Sequence, residues 1–300
     1  MLTISQIYKI IKDNHRERIP FIYNWRKNPY TFLKMQIYQT VSAVLVYWWL
    51  KTKIKPNTIT VIYALAGLLG GILLAIPTRT TVILAAVIFF SKGILDAADG
   101  QYARLSGQTS YTGDILDYYG AHLGALGLQV GLGFFVAHKS GMVIFYYLIP
   151  VIPLCYAADL IQYIKRSFLD PGAIAQSLEV TPVVREQKTQ QKEKSFVKRP
   201  VIDNLARGLL KPLFLAVRTL LDNRSRSVDL ICLLAIIEMY SSLFITWVIF
   251  LLFVAKQVLI FISTFYQAVG YGWAEDCQVR IADEIRAFYD NLHKKPKAEA

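Results

Sequence analysis

From Pro56 to Ile76 the chain runs twenty-one residues without one charged side chain. Similar apolar stretches recur at about 80–95, 111–137 and 142–164, and 227–270 holds more than forty nearly uncharged residues. These runs approach or exceed the ~20 residues that a helix needs to cross a bilayer core. Lipid offers no partner to backbone polar groups, so continuous apolar runs of this kind must be helical. The pattern predicts an all-α, polytopic membrane protein with six transmembrane helices. Four are the runs just given, and 227–270 supplies two more with a reversal at Tyr240–Ser242. Repeated glycines, Gly67, Gly70 and Gly71 on the first span and Gly113 through Gly133 on the third, favour close helix contact.

The rest of the chain arranges itself around these spans. Residues 1–55 read as an N-terminal cytoplasmic or interfacial helical arm. Within it Ile37–Leu50 is short for a span, and Tyr47, Trp48 and Trp49 followed by Lys51, Lys53 and Lys55 suit the head-group level. Pro56 disfavours helix at Lys55, and Asn57 or Thr58 is expected to cap the helix that follows. Residues 56–270 form the membrane domain. Inside it 167–227 reads as a cytoplasmic loop, polar over 181–200 and then an amphipathic surface helix from Val201 to Asn223. Residues 271–300 are a cytoplasmic tail.

Charge excludes some functions and orients the rest. A formal net charge of +12 could suit nucleic acid. The basic residues, however, gather at the ends of apolar runs and in 185–199, as expected against anionic lipid head groups, and no nucleic acid partner is expected. Cys155, Cys232 and Cys277 have neither metal-ligand spacing nor a disulfide framework. The first thirty residues are charged and lack the apolar core of a cleavable signal peptide. Six spans put both termini on one side. That side carries Lys51, Lys53, Lys55, Arg104, Lys165, Arg166, Arg224 and Arg226, against Arg79, His138 and Lys139 on the other. The termini and the acidic patch are therefore expected to face the cytoplasm.

That patch is DAADGQYARLSGQTSYTGDILDYYGA, residues 96–121. Asp96 and Asp99 lie three apart and share a helix face. Gly100, Arg104, Gly113, Asp114 and Asp117 follow. Carboxylates between membrane segments are costly unless they bind a cation or line a polar cavity. A helix contact sealed by Arg104 would account for one ion pair and leave two carboxylates unexplained. Carboxylate oxygens suit Mg²⁺ and leave part of its shell to a phosphate. Arg104 can hold phosphate oxygens in a fork, and Gly100 lets a bulky group lie on the backbone. The chemistry implied is phosphoryl transfer. A transporter would place its acids near the midplane, whereas these sit at one membrane edge.

The run Asp96–Ala97–Ala98–Asp99–Gly100–Gln101–Tyr102–Ala103–Arg104, eight residues, Gly113, three residues and Asp117 resembles the signature of the CDP-alcohol phosphotransferase (CDP-alcohol phosphatidyltransferase) family. Pro56, Asn57 and Thr58 are similar to the start of that family's first span, and the likeness covers Pro56 to about Gly270. It implies a six-helix membrane protein, commonly a homodimer, working with Mg²⁺ or Mn²⁺ as two ions. Such proteins release CMP from a CDP-linked substrate and pass the substituted phosphate to an alcohol acceptor, in phospholipid biosynthesis. By this resemblance Asp96, Asp99 and Asp117 hold metal, and Asp96, Gly100, Arg104 and Gly113 face the CDP moiety, with Asn57 nearby. The CDP-diacylglycerol direction is the reading preferred over a choline- or ethanolamine-type transfer to a lipid hydroxyl.

One position departs from the pattern. The family's last aspartate, metal ligand and catalytic base, falls on Ala121, which can neither ligate nor accept a proton. His122 is adjacent but turned about 100° around the helix, and Asp114 is two turns away. Three readings are open: an engineered substitution in an active enzyme, a natural homologue without activity, or a site whose base is His122 or Asp114. A non-catalytic lipid- or nucleotide-binding membrane protein is the second class of function.

Overall fold

The computed structural model describes residues 2–18, 29–52, 54–157 and 225–270. The described residues are helical, with no strand among them. In chain order the helices are α1 (Ile4–Arg18), α2 (Pro29–Thr52), α3 (Pro56–Ala75), α4 (Arg79–Leu105), α5 (Tyr111–Ser140), α6 (Val143–Leu148), α7 (Ser225–Tyr240) and α8 (Thr246–Gly270). Among the described residues four helices are long and apolar enough to cross a membrane: Pro56–Ala75, Arg79–Leu105, Thr112–Ser140 and Thr246–Ser263, with a shorter apolar helix at Val143–Ala157. The expected polar loop and surface helix at 167–223, the tail, and Asp159, Lys165, Arg166, Arg207, Lys211, Arg218, Arg224 and Cys277 lie outside the described residues.

The chain divides into two compact units, residues 1–153 with 220–255 and residues 154–219 with 256–300. The described part of the second is helical, over 154–157 and 256–270. In the first unit α3 is central and packs along both α5 and α4. Glycine makes the α3–α5 approach possible: a Cβ on Gly67 would lie 2.6 Å from Gly124 Cα, and one on Gly71 would collide with the Gly127 carbonyl. Small residues let helix backbones meet where lipid gives no hydrophobic drive to associate.

The start of α3 differs from expectation. Lys55, extended at φ −76° and ψ 137°, is the N-cap, and it makes no side-chain cap bond. Pro56 is the first helical residue, a place where its missing N–H costs nothing. Asn57 and Thr58 therefore lie inside the first turn rather than capping it. The second span, α4, runs on without a break through Asp96 to Arg104 as its polar end. At the start of this helix the Thr78 and Thr81 side chains close a capping box.

The N-terminal arm packs directly behind the acidic patch. Ile7 and Ile11 of α1 join Ala43 and Val46 of α2, Ile59 of α3, and Ala98 and Tyr102 of α4 in one buried cluster. Tyr102 Oη donates to the Ile54 carbonyl at 2.5 Å, tying α4 to the α2–α3 joint. The α7–α8 reversal comes at 241–242, as the sequence predicts. Glu238 holds it: its carboxylate accepts the Ile245 and Thr246 amides at 2.5 and 2.7 Å and the Thr246 hydroxyl at 2.7 Å. Elsewhere α2 is pinned to α7, where the buried Lys34 and the exposed Tyr30 both donate to the Asp229 carboxylate.

Candidate active site

Asp96 and Asp99 project from the last turns of α4, and Asp117 from the second turn of α5. Ligand oxygens of the three carboxylates all lie within 4.8 Å of one another. The sequence expectation that they converge is met. Ser110 starts α5 by accepting the Gly113 amide at 3.0 Å, which sets the helix phase that turns Asp117 inward. Like charges this close repel strongly unless a cation lies among them. All three are hard oxygen donors, the set that suits Mg²⁺ or Mn²⁺.

Two hydroxyls from α3 orient the carboxylates. Thr60 Oγ1 donates to Asp99 Oδ2 at 2.9 Å. Tyr63 Oη donates to Asp117 Oδ1 at 2.6 Å and approaches the Asp117 carbonyl at 3.1 Å. Both partners are buried, Tyr63 completely. Gly120 admits the Tyr63 ring, since a Cβ there would lie 2.5 Å from Cε2. A lysine completes the base of the site: Lys92 Nζ stands 3.9 Å from Asp96 Oδ2 and 5.2 Å from the centre of the Tyr63 ring. Thr60, Tyr63 and Lys92 are absent from the reading of the motif by sequence. For Lys92 a signal existed, a charge inside an apolar span.

The remaining expected residues fall around this core. Arg104 is exposed and its guanidinium folds back over Gly100, so that a Cβ on Gly100 would lie 3.4 Å from it. Asn57 Oδ1 approaches Gly113, where an added Cβ would meet it at 3.4 Å. Ala121 is exposed on α5, one turn beyond Asp117. His122 turns away from the carboxylates: Nδ1 lies 3.1 Å from the Tyr118 carbonyl, and its ring stacks on Tyr118 with centroids 3.9 Å apart. Among the described residues neither His122 nor Asp114 joins the cluster of metal-ligating groups.

No curated protein and no solved structure matches the chain. The family model for CDP-alcohol phosphatidyltransferase matches residues 53–161, a segment that contains α3, α4 and α5 and all three carboxylates. That family is one of metal-dependent transferases acting on CDP-linked alcohols. The convergent aspartates on apolar, membrane-length helices lie inside the segment, residues 53–161, that is similar to the CDP-alcohol phosphatidyltransferase model.

Proposed function

We propose that the protein binds a CDP-linked lipid, CDP-diacylglycerol, at the cytoplasmic edge of the membrane and is built to pass its phosphatidyl group to an alcohol in phospholipid biosynthesis. The observation carrying this reading is the convergence of Asp96, Asp99 and Asp117 within the matched segment. Asp96, Asp99 and Asp117 hold the divalent metal, Mg²⁺ or Mn²⁺. When bound, it supplies charge neutralisation to the diphosphate oxygens. Thr60 and Tyr63 fix the rotamers of Asp99 and Asp117 through their hydroxyls. Arg104, folded over Gly100, takes a phosphate oxygen, and Gly113 with Asn57 forms the rim facing the nucleotide. The reading includes the six spans, the homodimer and cytoplasmic termini expected from the sequence.

In the transfer the acceptor oxygen bonds to the phosphorus that carries the diacylglycerol. The bond from that phosphorus to the CMP oxygen breaks, and CMP leaves. The acceptor's hydroxyl proton needs a base on the inner face of α5. One turn beyond Asp117 that place is Ala121. This chain therefore binds substrate while its chemical step lacks roughly 10²–10⁴-fold, the usual worth of a placed proton acceptor. Ala121 also favours a second reading, a non-catalytic lipid- or nucleotide-binding protein. Transfer of a choline- or ethanolamine-type headgroup to a lipid hydroxyl is the alternative within the enzyme class.

The test is CMP release from a panel of CDP-lipids and CDP-alcohols, by this chain and by its Ala121→Asp form, at saturating Mg²⁺. The expected result is weak or no turnover by the first and robust turnover by the second. Robust turnover by the Ala121 chain, lost in His122→Ala or Asp114→Asn, would move the base elsewhere. Silence from both forms with nucleotide binding intact would leave the binding-protein reading.

A further inference from the structure

The charge inside the site does not match the two-ion arrangement that the resemblance implies. Two divalent ions are balanced by four carboxylates, and the fourth falls on Ala121. Lys92 enters the same site from α4. It lies one turn before Asp96 on α4, deeper in the span, with its side chain only 15% exposed and Nζ 3.9 Å from Asp96 Oδ2. Its methylenes cross to α5 against Gly124, where a Cβ would lie 2.7 Å from Lys92 Cε and 3.2 Å from Nζ. On α5 the residues Asp117, Ala121 and Gly124 descend one helix face, so the lysine stem meets α5 one turn from Ala121. The Tyr63 ring, whose hydroxyl holds Asp117, stands 5.2 Å from the same ammonium.

We propose that Lys92 is a built-in cation standing in for the second metal ion, so that this site takes one divalent ion. Three carboxylates are then matched by one ion and one ammonium. An intramembrane lysine without a counter-charge is expensive, and Asp96 supplies that charge. Ala121 and Lys92 form a matched pair: without the fourth carboxylate a second ion would leave the cavity with excess positive charge, and an aspartate at 121 would relieve it. The inference rests on the metal-site reading above and deepens it.

Mn²⁺ binding to the purified full-length protein in detergent, followed by the electron paramagnetic resonance signal of free Mn²⁺, tests this without any turnover. The Ala121 chain should bind one Mn²⁺ per chain. Lys92→Met keeps the length and apolar packing of the stem, and should admit a second ion. Ala121→Asp should also bind two, and Lys92→Met with Ala121→Asp should hold the second at least tenfold more tightly than either single form. Two ions of similar affinity in the Ala121 chain would overturn the proposal, as would one ion in every form. Absence of Mn²⁺ binding by an Ala121 chain of intact helical content would remove the metal reading and this inference together. If Lys92→Met fails to fold, Lys92→Gln, which removes the charge and keeps a polar stem, takes its place with the same expected second ion.

Discussion

Replacing Thr60 by valine deletes one hydroxyl and almost no volume, and the structure says what that should cost. Thr60 Oγ1 gives Asp99 Oδ2 a 2.9 Å hydrogen bond, and Asp99 is only 6% exposed. A hydrogen bond to a charged group is worth about 1.5–3 kcal/mol, and the upper end applies where water cannot replace the donor. A residue that orients a metal ligand typically commands about 10–100-fold in metal affinity. Thr60→Val should therefore raise the Mn²⁺ dissociation constant by about 30-fold or more, close to 2 kcal/mol. Tyr63→Phe is the control. It removes the 2.6 Å bond to Asp117, but Asp117 is exposed and water can take the place of the phenol. Its loss should stay near or below about tenfold. The assay is Mn²⁺ titration of both variants, with circular dichroism confirming unchanged helix content. An unaltered affinity in Thr60→Val, or a larger loss in Tyr63→Phe, would refute the argument that burial sets the value of these hydroxyls.

Other outcomes follow from the same geometry. Chelator should sharply weaken binding of a CDP-lipid, and Asp99→Asn should do so at saturating Mg²⁺; unchanged nucleotide affinity in both would sink the metal reading. Gly67→Leu drives a side chain into the Gly124 backbone, where even its Cβ would sit 2.6 Å from Cα. It should cost more than the ~1–3 kcal/mol of ordinary overpacking and weaken Mn²⁺ binding by moving α3, with both Thr60 and Tyr63, off the carboxylates they orient, read by thermal unfolding and titration; native-like values in both would show that α3 and α5 can part cheaply. Ala121→Asp adds a fourth carboxylate to the cluster. It should melt below the alanine form in chelator and gain more from Mg²⁺, and an equal melting temperature in chelator would deny the repulsion.

Much of this protein was legible in its one-dimensional pattern. Uncharged runs such as Pro56–Ile76 leave helix as the way to satisfy the backbone in lipid. The three-residue step from Asp96 to Asp99 fixes a shared face, and the interval to Asp117 carries the family likeness. The reversal after Tyr240 was equally readable, because polar residues interrupt an otherwise apolar run there. Boundaries were less so: Pro56 entered the helix that Asn57 was expected to cap.

The tertiary structure alone decided which residues surround the carboxylates. Thr60 meets Asp99 across 39 positions of sequence and Tyr63 meets Asp117 across 54. Neither pairing has a local periodicity, because each depends on how α3 is rotated between α4 and α5. That rotation is set by the glycines that let α3 and α5 touch, a packing effect that acts between chain segments. The same contact opens the space at Gly124 into which Lys92 extends. His122, a neighbour of position 121 in sequence, is instead turned onto Tyr118, because successive residues on a helix point about 100° apart.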